Sequence, residues 1–352
     1  MNQTTTGLWG VRADRAQQAL DQQFWNESIL MYDIQTPCEN GEGNDIFHYW
    51  WMAHAVDTLV DGLVRTGEDH YVRRLGQLYD GLLRRNGGVW PNELYDDMEW
   101  MALAWLRAYQ ATSEPRYLQA VRVLWEDIQT GWNDAMGGGI AWQKSQLDYK
   151  NTPANAPAVI LAARLYRSFG NEEDLAWAQR IYDWQRAYLV DPDTGFVWDG
   201  MNRTGDGTID KDWEFTYCQG VFIGASVELY RLSGQPSYLE EAMRTFRMVK
   251  SRLVQLASGL LPDEGNGDAG LFKGILMRYV AELSLEAAEY QEVTRFLTAQ
   301  AEGVWTVQDE AELPLFGTEW AKRPLPGDVV QLSSQLSGTM LLEMMSAIHS
   351  RN

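Results

Sequence analysis

Two adjacent carboxylates, Asp96 and Asp97, sit in the run Trp90-Pro-Asn-Glu-Leu-Tyr-Asp-Asp-Met-Glu-Trp100 and open an apolar helical stretch, Met101 to Tyr109. Two acids held close together split their pKa values, because both cannot ionise cheaply. One then stays protonated as a proton donor while its neighbour stays charged. Glycosidic bond cleavage needs that division, with one acid for the leaving oxygen and one carboxylate at the sugar carbon. The same dipeptide also suits a solvated first helical turn, where the helix dipole favours Asp and Glu. Paired acids can hold Mg²⁺ or Ca²⁺ as well. The surroundings lack a compact set of further oxygen ligands, so no metal is expected.

Helices must position this pair. Apolar spacing and stop signals predict twelve of them, at about 9–26, 46–65, 69–85, 95–111, 115–129, 153–168, 172–189, 213–232, 236–256, 270–287, 290–301 and 329–348. Strand-like alternation is scarce. Short turns fall at Thr66-Gly-Glu, Thr112-Ser-Glu, Phe169-Gly-Asn and Ser233-Gly-Gln. Leu63-Val-Arg-Thr-Gly, Leu165-Tyr-Arg-Ser-Phe-Gly and Leu229-Tyr-Arg-Leu-Ser-Gly are related, the mark of a helical-hairpin repeat. Long loops rich in Gly, Asn, Asp and Trp separate the hairpins. Up-and-down helices put all short turns on one face and all long loops on the other. The expected fold is all-α, an (α/α)6 toroid of six hairpins forming a single domain over 1–352, with even-numbered helices inside. Asp96 and Asp97 then lie at the loop-walled end, where function concentrates. An open solenoid would show similar loops rather than long, individual ones.

Bulk properties narrow the partner. The chain of 352 residues carries 49 acids against 29 bases, a net charge of −20. That repels phosphate backbones and anionic lipid, so no nucleic acid or membrane partner is expected. A neutral oligo- or polysaccharide fits better. Sixteen Trp and sixteen Tyr exceed ordinary need, and flat amphipathic rings suit stacking on sugars as well as filling space between helices. No stretch is long and apolar enough to span a membrane. The N-terminal residues do not read as a signal peptide, so a cytoplasmic location is expected, or secretion if the chain is a trimmed form. Cys38 and Cys218 offer no disulfide framework, and four scattered His give no zinc spacing, so no cofactor is expected.

Further polar residues fall in the loops or at the helix starts beside them. Asp45, Asn92, Tyr149, Asn151, Asn155, Tyr217, Gln219, Lys273 and Arg278 are candidate partners for sugar hydroxyls, or else loop caps. Trp50, Trp51, Trp90 and Trp142 are candidate stacking platforms, or else core. His48 and His54 read as structural. Gly137-Gly-Gly139 lacks the strand, helix and Lys of a phosphate loop.

The order of motifs resembles glycoside hydrolase family 76, the endo-α-1,6-mannanases. The matching pieces are Tyr49-Trp-Trp, Asn92-Glu-Leu-Tyr-Asp-Asp-Met-Glu-Trp100, Gly137-Gly-Gly-Ile-Ala-Trp142, Tyr149-Lys-Asn151, Val197-Trp-Asp-Gly200, Phe215-Thr-Tyr-Cys-Gln-Gly-Val221 and Phe272-Lys-Gly-Ile-Leu-Met-Arg278. The resemblance implies an (α/α)6 toroid and a retaining hydrolase of α-1,6-mannosidic bonds, with Asp96 as nucleophile and Asp97 as acid/base. A helix N-terminus suits a charged Asp96, and neighbours on one turn place carboxyls about 5–6 Å apart, near the retaining separation. This chain departs from the family in having Cys218 where Asn is usual, and many members are secreted. The alternatives are a non-catalytic carbohydrate-binding or protein-interaction toroid, and a sugar epimerase or uronide hydrolase on the same fold. An epimerase would want clustered His, and uronide binding a basic cleft.

Overall fold

The computed structural model describes residues 5–38, 43–287, 289–309 and 312–350. Twelve α-helices occur among them. They are α1 (Thr5–Gln23), α2 (Tyr49–Thr66), α3 (Asp69–Arg85), α4 (Tyr95–Thr112), α5 (Pro115–Gln129), α6 (Ala156–Phe169), α7 (Glu172–Tyr188), α8 (Thr216–Ser233), α9 (Pro236–Met248), α10 (Ala269–Glu286), α11 (Gln291–Thr306) and α12 (Leu332–Ser350). None is long and apolar enough to cross a membrane.

Two kinds of helix alternate. Those with even numbers are apolar nearly all round: every residue of α8 from Thr216 to Leu229 is buried. Those with odd numbers bury one stripe. In α5 it is Tyr117, Ala120, Val121, Leu124, Trp125 and Ile128, the three-and-four spacing of an amphipathic helix. Short turns join α2 to α3, α4 to α5, α6 to α7 and α8 to α9. At three of them a glycine ends the first helix in the left-handed region: Gly67, Gly170 and Gly234, with φ of 71°, 71° and 66°. Ser113 takes that place in the fourth, at φ 58°. The hydroxyls of Thr66, Thr112 and Ser233 each accept the N–H two residues on, at 3.2 Å. The turns at Gly67 and Gly234 thus share one chemistry, which Thr112-Ser113 repeats, while Phe169-Gly170 keeps only the left-handed glycine.

Packing divides the chain into two compact units. One takes residues up to 89, 107–114 and those from 254 onward; the other takes 90–106 and 115–253. In the first, α12 packs on α1, α2 and α10, α2 on α3, and α10 on α11. Gly274 lets α10 approach α12 closely, since a Cβ there would lie 2.5 Å from Ser337 Cα. In the second unit, α6 packs on α7 and α8, and α8 on α9.

Several boundaries differ from expectation. A three-stranded antiparallel sheet, Ala141–Gln143, Gln146–Asn151 and Gly200–Met201, occupies loops expected to be irregular. A 3-10 turn at Thr152–Ala154, with Pro153 in it, delays the start of α6 to Ala156. A π-helical turn at Val249–Leu253 ends the α9 run.

The first unit also corrects two candidate sugar contacts. Arg278 of α10 is committed to a buried ion cluster: its Nη2 lies 2.6 Å from Asp61 and its Nε 2.8 Å from Asp57, both on α2. Arg107 of α4 binds the same two carboxylates. Lys273, 1% exposed, donates to the carbonyls of Pro262 and Thr318, so it braces two loops instead of meeting solvent.

Candidate active site

The approach to α4 is fixed before the helix begins. Asn92 Oδ1 accepts the Leu94 N–H at 2.9 Å, and Asn92 Nδ2 donates to Asp97 Oδ2 at 3.2 Å. The sheet is stitched to the same segment. Leu94 bridges to Gln143, and Lys144 N–H donates to the Glu93 carbonyl at 3.0 Å. That docking brings Trp142 to the pair, where its indole N–H donates to Asp96 Oδ2 at 3.2 Å. Asp96 Oδ1 accepts the Asp97 backbone N–H at 3.0 Å. Each acid therefore has a donor supplied by a neighbouring side chain.

Behind Trp142, Tyr149 stands edge-on at 5.7 Å between ring centres. Its hydroxyl donates to Asp199 Oδ2 at 3.2 Å. Asp199 Oδ1 accepts the Tyr217 hydroxyl at 2.9 Å and the Cys218 thiol at 3.4 Å, both from the first turn of α8. Asp199 was not among the sequence candidates. The Val197-Trp-Asp-Gly200 segment carried the signal, but a lone Asp in a loop reads as a turn former.

Burial dominates the electrostatics here. Asp96 keeps some surface open, yet desolvation pushes its pKa up to about 7. The Asp97 amide and the Trp142 indole pull the other way, and the Asp199 charge adds to the rise. The helix N-terminus alone argued for a readily charged Asp96; the protein around it outweighs that. Burial also raises Asp199, against its three donors, and raises Glu99 of α4, to which the Asp96 charge adds. Burial and the Asp199 charge raise Tyr149 and Tyr217, which therefore remain neutral donors. Among the groups acting most strongly on Asp96, Glu99 and Asp199 there is no cation.

The second unit thus gathers Asp96, Asp97, Asn92, Trp142, Tyr149 and Tyr217 around one locus. Other candidates serve the scaffold. Asn155 binds both backbone groups of Ile140, accepting at 2.8 Å and donating at 3.0 Å. Gln219 does the same to Val197, at 2.9 and 2.7 Å. Asn151 caps the 3-10 turn through the Ala154 N–H. These three amides are spent on loops, a correction to their reading as sugar contacts. Trp90 is core, edge-on to Trp105. Trp51 is buried too, with His48 stacked at 3.8 Å and its indole on Asp268. Trp50 is half-buried and shares Asp268. Asp45 is exposed, on a surface pocket of about 510 Å³ with Arg84 and Arg85. Among the described residues no three His, Cys, Asp or Glu side chains are grouped to hold a metal.

Comparison with known proteins gives this geometry a family. A solved structure of a Listeria innocua protein is 39% identical, with a TM-score of 0.91 over 98% of each chain. The structure of the α-1,6-mannanase GH76A of Salegentibacter sp. HEL1_6 is 38% identical, with a TM-score of 0.89 over 97% of this chain and 99% of that one. The likeness shows the fold, all-α and of the (α/α)6 toroid class. A mannan endo-1,6-alpha-mannosidase of Candida glabrata is 28% identical over 283 residues, 72% of this chain; the match spans 62% of the relative's length. The family model for glycosyl hydrolase family 76 matches residues 12–350, so the chain belongs to that family.

Proposed function

We propose that this protein is a retaining hydrolase of α-1,6-mannosidic bonds, with Asp96 as nucleophile and Asp97 as acid/base. One observation carries the reading. Asp96-Asp97 is the chain's only Asp-Asp dipeptide, and it opens α4 with a donor on each acid. Variants of the Salegentibacter enzyme described as inactive have two consecutive aspartates replaced, and were solved with α-1,6-mannotriose and α-1,6-mannotetrose. That supports both the pair and the sugar linkage for a chain 37% identical to it.

The chemistry follows from two carboxyls on one turn. Asp97 protonates the glycosidic oxygen as an Asp96 oxygen bonds to the sugar carbon, and the glycosidic bond breaks. Asp97, now charged, takes a proton from water, whose oxygen displaces Asp96 from the other face. Two inversions return the α configuration. Adjacent acids leave little room for the water of an inverting route. Asp96 must be charged to attack, and its raised pKa sets the pH at which that becomes common.

Incubation with α-1,6-mannotetraose, followed at once by NMR, tests this. The first-formed product is expected as the α-anomer. A β-anomer, or no cleavage of any α-1,6-mannoside by folded protein, overturns the proposal.

A further inference from the structure

Helix α4 carries a third carboxyl that this mechanism leaves idle. Glu99 lies three residues beyond Asp96, on the same face of the helix one turn on. It is 0% exposed, and neither side-chain oxygen has a hydrogen-bond partner among the described residues. Two other buried glutamates are handled differently. Glu228 is met by Arg164, Arg167 and Arg231, and Glu343 by Arg65 and Gln17. Burial acts most strongly on Glu99, the Asp96 carboxyl adds to the rise, and the Ala158 amide, in the first turn of α6, opposes it. Helix α6 has no titratable side chain before Arg164. Asp96 has two donors for a charge and Glu99 has none of good geometry. Of the two, Asp96 carries the charge and Glu99 keeps its proton.

We propose that Glu99 is a positioning residue acting through Asp96: it is uncharged while Asp96 is a carboxylate, and gives up its proton at a lower pH when Asp96 is held as the glycosyl ester. The inference rests on Asp96 being the nucleophile. In the free enzyme the Asp96 charge opposes a second charge one turn away. When the sugar carbon bonds to Asp96, that charge is gone, burial alone still holds the Glu99 proton, and the proton is released at a lower pH. Breakdown of the ester then has to return a carboxylate at Asp96 beside a carboxylate at Glu99. Like charges one helical turn apart in a desolvated site oppose it. Sugar release therefore slows as pH rises, through a group that touches neither sugar nor water.

The test uses an aryl α-1,6-mannobioside with a good leaving group, so that breakdown of the ester limits kcat. Wild type and Glu99→Gln are compared across pH. The wild type is expected to lose kcat on the alkaline side, with a burst of aryl alcohol. Glu99→Gln, a permanently neutral isostere, is expected to move that alkaline limb up by about one unit or more, while the acid limb of kcat/KM remains with Asp96. The same alkaline limb in both proteins overturns the inference. Should Glu99→Gln fail to fold, infrared spectra of the wild type decide. A protonated-acid carbonyl band should persist through the Asp96 titration and weaken at alkaline pH once the ester is trapped with a slow fluoromannosyl donor. A band absent from the free enzyme, or unchanged on trapping, overturns it. Asp96→Asn in the same assay separates the two claims: normal turnover there removes the nucleophile assignment itself.

Discussion

Each compact unit buries a cluster of carboxylates, and the two clusters are built in opposite ways. In the first unit Asp57 and Asp61 lie between Arg107 and Arg278. Burial pushes Asp57 up, but the two guanidiniums outweigh it and hold the carboxyl well below the usual range. In the second unit Asp96, Glu99 and Asp199 have amides, an indole, phenols and a thiol near them, and burial wins. A carboxylate paired with cations is fixed in its charge and does no proton chemistry. A carboxyl surrounded by neutral donors sits close to the pH at which it works. The difference lies in the partners, since each cluster holds two acids one turn apart on a helix, Asp57 and Asp61 on α2 and Asp96 and Glu99 on α4.

Breaking the second cluster should cost the most. Asp96→Asn and Asp97→Asn are each expected to lower kcat at least about 10³-fold with the fold intact, as for a cooperating pair. Azide should partly restore Asp97→Asn on a substrate with a good leaving group. Near-normal activity in either variant, measured on α-1,6-mannotetraose with folding checked by circular dichroism, removes it from the catalytic pair.

Breaking the first cluster should leave chemistry alone and damage stability. Arg278→Met strands Asp57 and Asp61 with one cation, and loss of one partner from a buried ion pair costs about 3–5 kcal/mol. Denaturant titration should show the loss, with kcat per folded molecule changed far less than in Asp96→Asn. A large fall in kcat without a fall in stability would return Arg278 to the substrate.

The pH dependence of stability should separate the clusters by sign. Asp57 has a folded pKa below its unfolded value of about 3.9, so its stabilisation is present above that value and is lost as pH falls. Asp96 has a folded pKa above its unfolded value. Its contribution is complete below about pH 4 and is lost as pH rises toward about 7. Asp96→Asn should therefore be more stable than wild type at pH 8, with the gain vanishing near pH 4. In kcat/KM, the acid limb of the wild type should lie near pH 7, and Asp199→Asn should shift it down by removing a charge that raises Asp96. A melting-temperature gain for Asp96→Asn that is equal at pH 4 and pH 8 would show that desolvation does not set this group.

Much of this was legible in the residues. All twelve helices follow from apolar spacing and stop signals, and the turn at Thr66-Gly67 recurs because its chemistry is local. Asp96 and Asp97 stood out because their neighbours in space are partly their neighbours in sequence: Asn92 is five residues from Asp97. Trp142, 46 residues from Asp96, reaches it only through the docked sheet, whose strands are too short for periodicity to announce. Asp199 and Glu99 were missed because their importance lies in what surrounds them. Asn155 and Gln219 were misread for a chemical reason. A carboxamide offers one donor and one acceptor, which serves a sugar hydroxyl and a loop backbone equally well.

Those amides supply a smaller test. Gln300 holds Leu261 N–H and the Gly259 carbonyl, and Gln335 holds Phe316 N–H and the Pro314 carbonyl, as Asn155 and Gln219 hold their own loops. Each clamp satisfies two backbone groups at once. Gln335→Ala should cost about 1–3 kcal/mol for the buried group left unpaired, with the same loss at pH 5 and pH 8. Gln219→Ala should cost a similar amount and also lower kcat, because it loosens the loop that carries Asp199. Equal activity effects from Gln335→Ala and Gln219→Ala would argue against that link.

The smallest effect is expected at the short turns, which contain no part of either cluster. Gly67 and Ser113 occupy the same place in two copies of one hairpin, at φ 71° and 58°. A side chain in the left-handed region costs about 1–2 kcal/mol, while glycine costs about 0.5–1 kcal/mol of extra chain entropy on folding. The two partly cancel, so Ser113→Gly should stabilise the protein by about 0.5 kcal/mol. Gly67→Ala should destabilise it similarly, since no atom lies within 4 Å of the added Cβ and backbone strain is the only penalty. Neither change touches a titratable group, so both shifts in denaturant midpoint should be flat from pH 4 to pH 8 and leave kcat alone. A pH slope in either variant would mean that the turns feel the carboxylate clusters, and the contrast between scaffold and site would have to be redrawn.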